Sequence, residues 1–156
     1  MLSDSHDQRS ARPGRGGLAG RPGAEVLIHC GDLTTSPRSS TNAASRATVF
    51  VFGNNDYDEI GLRAAMAAIG ATCLGRGGEL ELGGKRIAVT HGDSASEARR
   101  LLALQPDYFL YGHTHTPDDG EGMPRWINPG ALHRAARYTV ALLDLDDGRL
   151  EFLGVP

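Results

Sequence analysis

Glu25-Val26-Leu27-Ile28-His29-Cys30-Gly31-Asp32 is a short apolar run that stops abruptly in a glycine and a carboxylate. Other stretches repeat the form. Thr48-Val49-Phe50-Val51-Phe52 ends in Gly53-Asn54-Asn55-Asp56, Arg86-Ile87-Ala88-Val89-Thr90 in His91-Gly92-Asp93, and Tyr108-Phe109-Leu110-Tyr111 in Gly112-His113-Thr114-His115. A stub, Leu2-Ser3, runs into Asp4-Ser5-His6-Asp7. Runs this short, rich in β-branched and aromatic residues and closed by glycine, read as buried strands.

Between the runs, the pattern predicts two helices. The first spans 58–69 and is alanine-rich, with Ile60, Ala64, Ala67 and Ala68 on one face at helical spacing. The second opens on a capping box, Ser94 and Glu97, presents Ala98, Leu101 and Leu102 as its apolar stripe, and stops at Pro106. Glu79 to Leu82 and Arg86 to Val89, joined through Gly83-Gly84-Lys85, form a hairpin with a short glycine turn. Further strands are expected at Arg125 to Ile127, Tyr138 to Leu145 and Leu150 to Leu153, the last two separated by the turn Asp146-Asp147-Gly148. Strands and helices alternate early and strands dominate late, so the expected class is a mixed α/β layered fold.

The 156 residues suit a single domain over 1–156, and 40% apolar with 22% charged residues is ordinary for a soluble globular chain. No apolar run approaches the roughly 18 residues of a membrane span, and Met1 to Asp7 holds no signal-peptide core, so the expected location is the cytoplasm, with no membrane partner. Cys30 and Cys73 each stand alone in an apolar segment, which reads as packed thiols and argues against a zinc finger. A net charge of −3 argues against a basic nucleic-acid surface. Residues 8–23, with five glycines and four arginines, read as a flexible loop; solvation is the simpler role for its arginines, contact with phosphates the other. The loops 34–46 and 118–124 carry compositions typical of any surface loop and reveal no substrate. Subunit number is open, and a homo-oligomer is compatible with the sequence.

Singly, none of these polar strand ends means much. Jointly they do, because the carboxyl ends of neighbouring strands gather on one edge of an open α/β sheet. Asp4, His6, Asp32, Asn54, His91, His113 and His115 then share a crevice, offering oxygen and imidazole nitrogen but no sulfur. Such a cluster is costly without a cation. If one carboxylate bridges two ions, seven side chains supply four bonds to each, and mixed N/O ligation suits Mn, Fe, Co, Ni or Zn better than calcium.

Asp4-x-His6, Gly31-Asp32, Gly53-Asn54-x-Asp56, His91-Gly92 and Gly112-His113-x-His115, in that order, resemble the motif series of the calcineurin-like metallophosphoesterases, in particular their small single-domain bacterial and archaeal phosphodiesterases. Asn128-Pro129-Gly130 is similar to that branch's closing motif. The resemblance implies a four-layer sandwich, two mixed β-sheets flanked by helices. It implies that Asp4, His6 and His115 hold one divalent ion, that Asn54, His91 and His113 hold the other, and that Asp32 bridges them, with manganese the first candidate. The implied reaction is hydrolysis of a small phosphodiester or monoester by in-line attack of a hydroxide bridging the two metals, which would lie about 3.5–4 Å apart. Asp32, Asn54 and Asp56 are the catalytic candidates; Asn55, His133 and Arg134 are candidate substrate contacts. Asp56 and Asp93, beside ligands, could orient imidazoles. His29, inside its strand, reads as a core histidine.

Two departures from that pattern bear on function. Many relatives have histidine after the motif asparagine, where it is thought to protonate the leaving group. Here the residue is Asn55, an amide that cannot act as an acid near neutral pH, so esters with good leaving groups, aryl ones included, are the expected substrates. Only three residues precede Asp4, which points either to a true start upstream or to a weaker-held ion at Asp4 and His6. A non-catalytic interaction scaffold of the same fold is the rival reading. Its members tend to lose metal ligands, whereas this chain keeps all seven.

Overall fold

The structure, a computed structural model, describes residues 24–33 and 47–156. The N-terminal stub with Asp4 and His6, the 8–23 loop and the 34–46 loop fall outside the described residues. Within them the chain forms β1 (Val26–His29), β2 (Ala47–Phe50), α1 (Glu59–Ala68), β3 (Thr72–Cys73), β4 (Gly77–Leu82), β5 (Lys85–Thr90), α2 (Ala95–Leu102), β6 (Tyr108–Leu110), β7 (Asp118–Gly120), β8 (Arg125–Asn128), β9 (Thr139–Leu143) and β10 (Leu150–Gly154). No helix among the described residues is long and apolar enough to cross a membrane.

The fold is mixed α/β. A parallel sheet has the order β1-β2-β3, a mixed sheet the order β4-β5-β6-β8-β7, and β9 and β10 pair antiparallel. In the second sheet β5, β6 and β8 run parallel, with an antiparallel strand at each edge. Side-chain alternation along the strands assigns the faces. Ile28, Cys30, Val49 and Val51 pack against Ile87, Val89, Tyr108, Leu110 and Ile127, so the two sheets lie face to face over one core. The intervening residues point outward and are covered by helices. Phe50 and Phe52 meet Met66 of α1, while Ala88 and Phe109 meet Leu101 of α2. Helix, sheet, sheet and helix thus make four layers. Fully burying each Leu, Ile, Val or Phe contributes roughly 1.5–3 kcal/mol, which gives the loops at the strand ends a rigid base.

The helix termini follow from local chemistry. Asp58 caps α1 by accepting from the Gly61 N–H, and Ser94 caps α2 by accepting from the Glu97 N–H (3.3 Å). The second half of the expected capping box is put to other use, since the Glu97 carboxylate pairs with Arg100 (2.5 Å). At the β4–β5 hairpin, Gly83 and Gly84 take φ of 57° and 71°, the left-handed pair that a two-residue turn requires.

The face expected for α1 is corrected by the structure. Ile60 is 85% exposed, and Ala64, Ala67 and Ala68 are exposed with it. The buried stripe is instead Leu62, Met66 and Ile69, at i, i+4 and i+7. Alanines mark a helix through propensity, but the larger side chains choose the face because they remove more area from water. Two short strands were also missed: β3, and β7, which lies within the stretch read as the 118–124 loop.

Candidate metal centre at the strand ends

Four strand ends converge where the sheets meet. Beyond β1 the chain runs through Cys30 and Gly31 to Asp32, and beyond β2 through Gly53 to Asn54 and Asn55; His91 follows β5 directly, and His113 lies three residues past the end of β6. Asp32 and His91 form the floor, 3% and 0% exposed, while Asn54 and His113 stand exposed at the rim. Glycine permits this approach. A Cβ on Gly31 would lie 2.7 Å from His91 Nδ1, and one on Gly53 would lie 2.1 Å from Asp32 Oδ1.

His91 organises the floor. Its Nδ1 lies 2.7 Å from the Cys30 carbonyl oxygen, which can only accept, so Nδ1 carries the proton and donates. In the neutral ring Nε2 then presents a lone pair. Around it lie Asn54 Oδ1 at 3.1 Å, His113 Nδ1 at 3.3 Å and Asp32 Oδ2 at 3.4 Å. Nitrogen and oxygen ligands about 2.0–2.2 Å from a shared ion stand about 3.0–3.5 Å from one another, so these spacings match the edges of a coordination shell. The described residues supply only part of a cage. No group of three or more His, Cys, Asp or Glu among them is spaced to hold an ion. Asp32, His91 and His113 are joined as a chain through His91, with the Asn54 amide oxygen beside it.

The Asp32 carboxylate is held on both oxygens. The Asn55 backbone N–H donates to Oδ1 (3.0 Å) and the Asn55 side-chain amide donates to Oδ2 (2.7 Å). Burial pushes this carboxyl up, but the Asn55 bonds and the neighbouring His91 and His113 outweigh burial and hold it below the ordinary aspartate value. Asn55, read from the sequence as a substrate contact, therefore directs its amide at Asp32. Asp56 is buried, and its carboxylate accepts from the Gly53 N–H (2.8 Å), which closes the turn carrying Asn54. Arg76 donates to the Gly53 carbonyl (3.0 Å) and pairs with Glu59 (2.7 Å), tying that turn to the start of α1.

His115 lies in a second group. Its Nδ1 meets the Arg134 carbonyl at 3.2 Å, and its ring centroid is 5.2 Å from that of His133. Burial, then His115 and Arg134, push the His133 imidazole down, against a weaker upward pull from Asp32. His29 is buried with Nδ1 accepting from the Gly31 N–H (3.2 Å) and its ring against Phe50. That is the arrangement expected of a core histidine.

Sequence reasoning found Asn128 as part of a motif but not its task. It is fully buried, and its amide donates to the Gly112 carbonyl (2.9 Å) and to Thr114 Oγ1 (3.0 Å), while its Oδ1 accepts from the Gly130 N–H (2.9 Å). One side chain thus pins the loop bearing His113 and His115. Strain gathers here too. Asp32, His113, His115 and Arg134 have φ of 56°, 68°, 59° and 47°, in the left-handed region where non-glycine residues are uncommon.

Residues 1–148 match the family described as the calcineurin-like phosphoesterase superfamily domain. No curated protein matches the chain. Among solved structures, a novel archaeal phosphodiesterase is similar over 84% of this chain and 83% of its own, at 23% identity and a TM-score of 0.73. Vps29 from Entamoeba histolytica, complexed with Zn2+, is 19% identical over 99% of this chain and 98% of its own, with a TM-score of 0.61. Yfce, a phosphoesterase from E. coli, is 20% identical over 85% of each chain, with a TM-score of 0.54. At these identities the likeness is one of fold.

Proposed function

Because the chain belongs to the calcineurin-like phosphoesterase superfamily, we propose that it is a metal-dependent hydrolase of small phosphodiesters, and of monoesters with good leaving groups, acting by in-line attack of water on phosphorus. The supporting observation is the His91 lone pair set among Asp32 Oδ2, Asn54 Oδ1 and His113 Nδ1, with the ring's proton committed to Cys30. A single proton could satisfy one of those contacts; a divalent cation satisfies several at once.

In this reading Asn54, His91 and His113 hold one ion, Asp4, His6 and His115 hold the other, and Asp32 is shared. Bound there, the pair supplies positive charge opposite the phosphate and water acidified to a pKa of about 7. The remaining work belongs to the chain. Cys30 fixes the His91 tautomer, Asp56 and Arg76 hold the Asn54 turn, and Asn128 holds the His113–His115 loop. In the same reading His133 and Arg134, which lie beside His115, would contact a phosphate oxygen. No acid stands at Asn55, so the leaving group departs unassisted from that side. Manganese is the proposed ion, with Ni, Fe, Co and Zn the other candidates.

The alternative is an interaction scaffold, favoured by the likeness to Vps29 over 99% of the chain. Both readings are tested by hydrolysis of an aryl phosphodiester beside the matching monoester, after chelation and with each divalent ion restored. Restored turnover of the diester supports the enzyme. Protein that takes up manganese yet hydrolyses neither ester supports the scaffold.

A further inference from the structure

We propose that Asn55 is a positioning residue that presents the Asp32 carboxylate to the metal ions and so sets their affinity; the inference rests on the metal-dependent reading above. An ionised carboxylate has roughly four lone-pair sites, two on each oxygen. Asn55 occupies one on each, through its backbone N–H at 3.0 Å and its side-chain amide at 2.7 Å, so the carboxylate cannot rotate about its Cβ–Cγ bond without breaking a bond. Oδ2, with a lone pair to spare, also lies 3.4 Å from His91 Nε2. Both bonds come from a residue 23 positions distant, on the turn that carries Asn54, so the clamp also locks two ligand-bearing loops together. The Tyr57 hydroxyl donates to Asn55 Oδ1 (3.4 Å), which leaves the amide hydrogens facing Asp32. Asp32 is 3% exposed, so in the intact protein the Asn55 amide rather than bulk water fills that position. Asn55 is itself exposed, so its side chain can be shortened without opening a cavity in the core.

The test is Asn55→Ala in the full chain. Manganese binding is measured by calorimetry after chelation, and the melting temperature of the chelated protein is recorded alongside. Loss of a hydrogen bond to a ligating group typically weakens metal binding by about 10–100-fold, and a weakening of that size is the expected result. A variant that melts lower when chelated yet binds manganese as the wild type does would show a merely structural contact and overturn the assignment. Wild-type protein that takes up none of manganese, nickel, iron, cobalt or zinc would remove both this assignment and the function it rests on, which separates the two failures.

Discussion

Gly53→Ala isolates the geometry of the site from its chemistry, since no donor or acceptor is removed. The added Cβ would lie 2.1 Å from Asp32 Oδ1, 2.5 Å from the Asp32 backbone nitrogen and 2.8 Å from its Cγ, where ordinary contacts begin at 3.4 Å. Relief requires the carboxylate oxygen to move by about 1.3 Å, the difference between 2.1 and 3.4 Å. The backbone nitrogen cannot swing aside as the end of a long side chain would, so the β1 and β2 loops must part. Overpacking of this kind costs about 1–3 kcal/mol. In a chain of this length that lowers the melting temperature by roughly 2–12 °C. Function is expected to suffer more than stability. Parting the loops breaks the 3.0 and 2.7 Å bonds from Asn55 and spoils the 3.4 Å approach to His91. A 1 Å misplacement in an active site is worth about 100-fold in rate. The assay is turnover of an aryl phosphodiester at saturating manganese, with thermal melting of the chelated protein beside it. An alanine variant that folds and retains wild-type turnover and ion affinity would refute the reasoning, because it would show that the close approach of the two loops is not what places Asp32.

Asn128→Ala leaves the buried Gly130 N–H without its partner and takes one of two donors from the Gly112 carbonyl, which keeps the Thr114 N–H (2.8 Å), so about 1–3 kcal/mol of stability should be lost in urea melts, with turnover falling at least tenfold as the His113 loop loosens. Asn55→His, assayed at saturating manganese to offset weaker ion binding, should raise turnover of poor-leaving-group monoesters above that of Asn55→Ala; equal rates would mean that a missing acid is not what limits them. The Arg125 guanidinium holds the Asp119 carboxyl below its ordinary 3.8 through a 2.7 Å contact, so the pair stabilises the protein above that value and loses its effect as pH falls through the depressed one. Both partners are partly exposed, which limits the contribution to about 0.5 kcal/mol. Melting curves of wild type and Asp119→Asn should therefore differ by a degree or two at pH 7 and converge once the pH falls well below 3.8, and a gap that persists in acid would contradict this.

The strand pattern and, among the described residues, the polar strand ends at Asp32, Asn54, His91 and His113 were legible because they depend on local periodicity. Val49 and Val51 against Phe50 and Phe52 already separate two faces of β2, and each polar strand end is visible where its apolar run stops. The α1 face was misread because alanine spacing reports helix propensity rather than burial, which Leu62 and Met66 decide by contacts with Phe50 and Phe52 made far along the chain. β7 escaped because Asp118-Asp119-Gly120 has the composition of a turn and becomes a strand only by pairing with β8. In the site, residue types pointed to ions, but assignments at Asn55 and Asp56 depended on which neighbour each side chain meets. Asn55 meets a carboxylate from another loop, and Asp56 meets an amide three residues away. Neither partner leaves a trace in spacing alone.

The His91 ring springs from one sheet while its Nδ1 is fastened to the backbone of the other, at Cys30. It therefore acts as a rivet through the seam of the sandwich, with its other nitrogen turned toward Asp32, Asn54 and His113. Whatever seats itself on that nitrogen tightens the seam as well, so occupancy should register as slower amide hydrogen exchange along β1 and β5, in the body of the protein rather than only at its mouth.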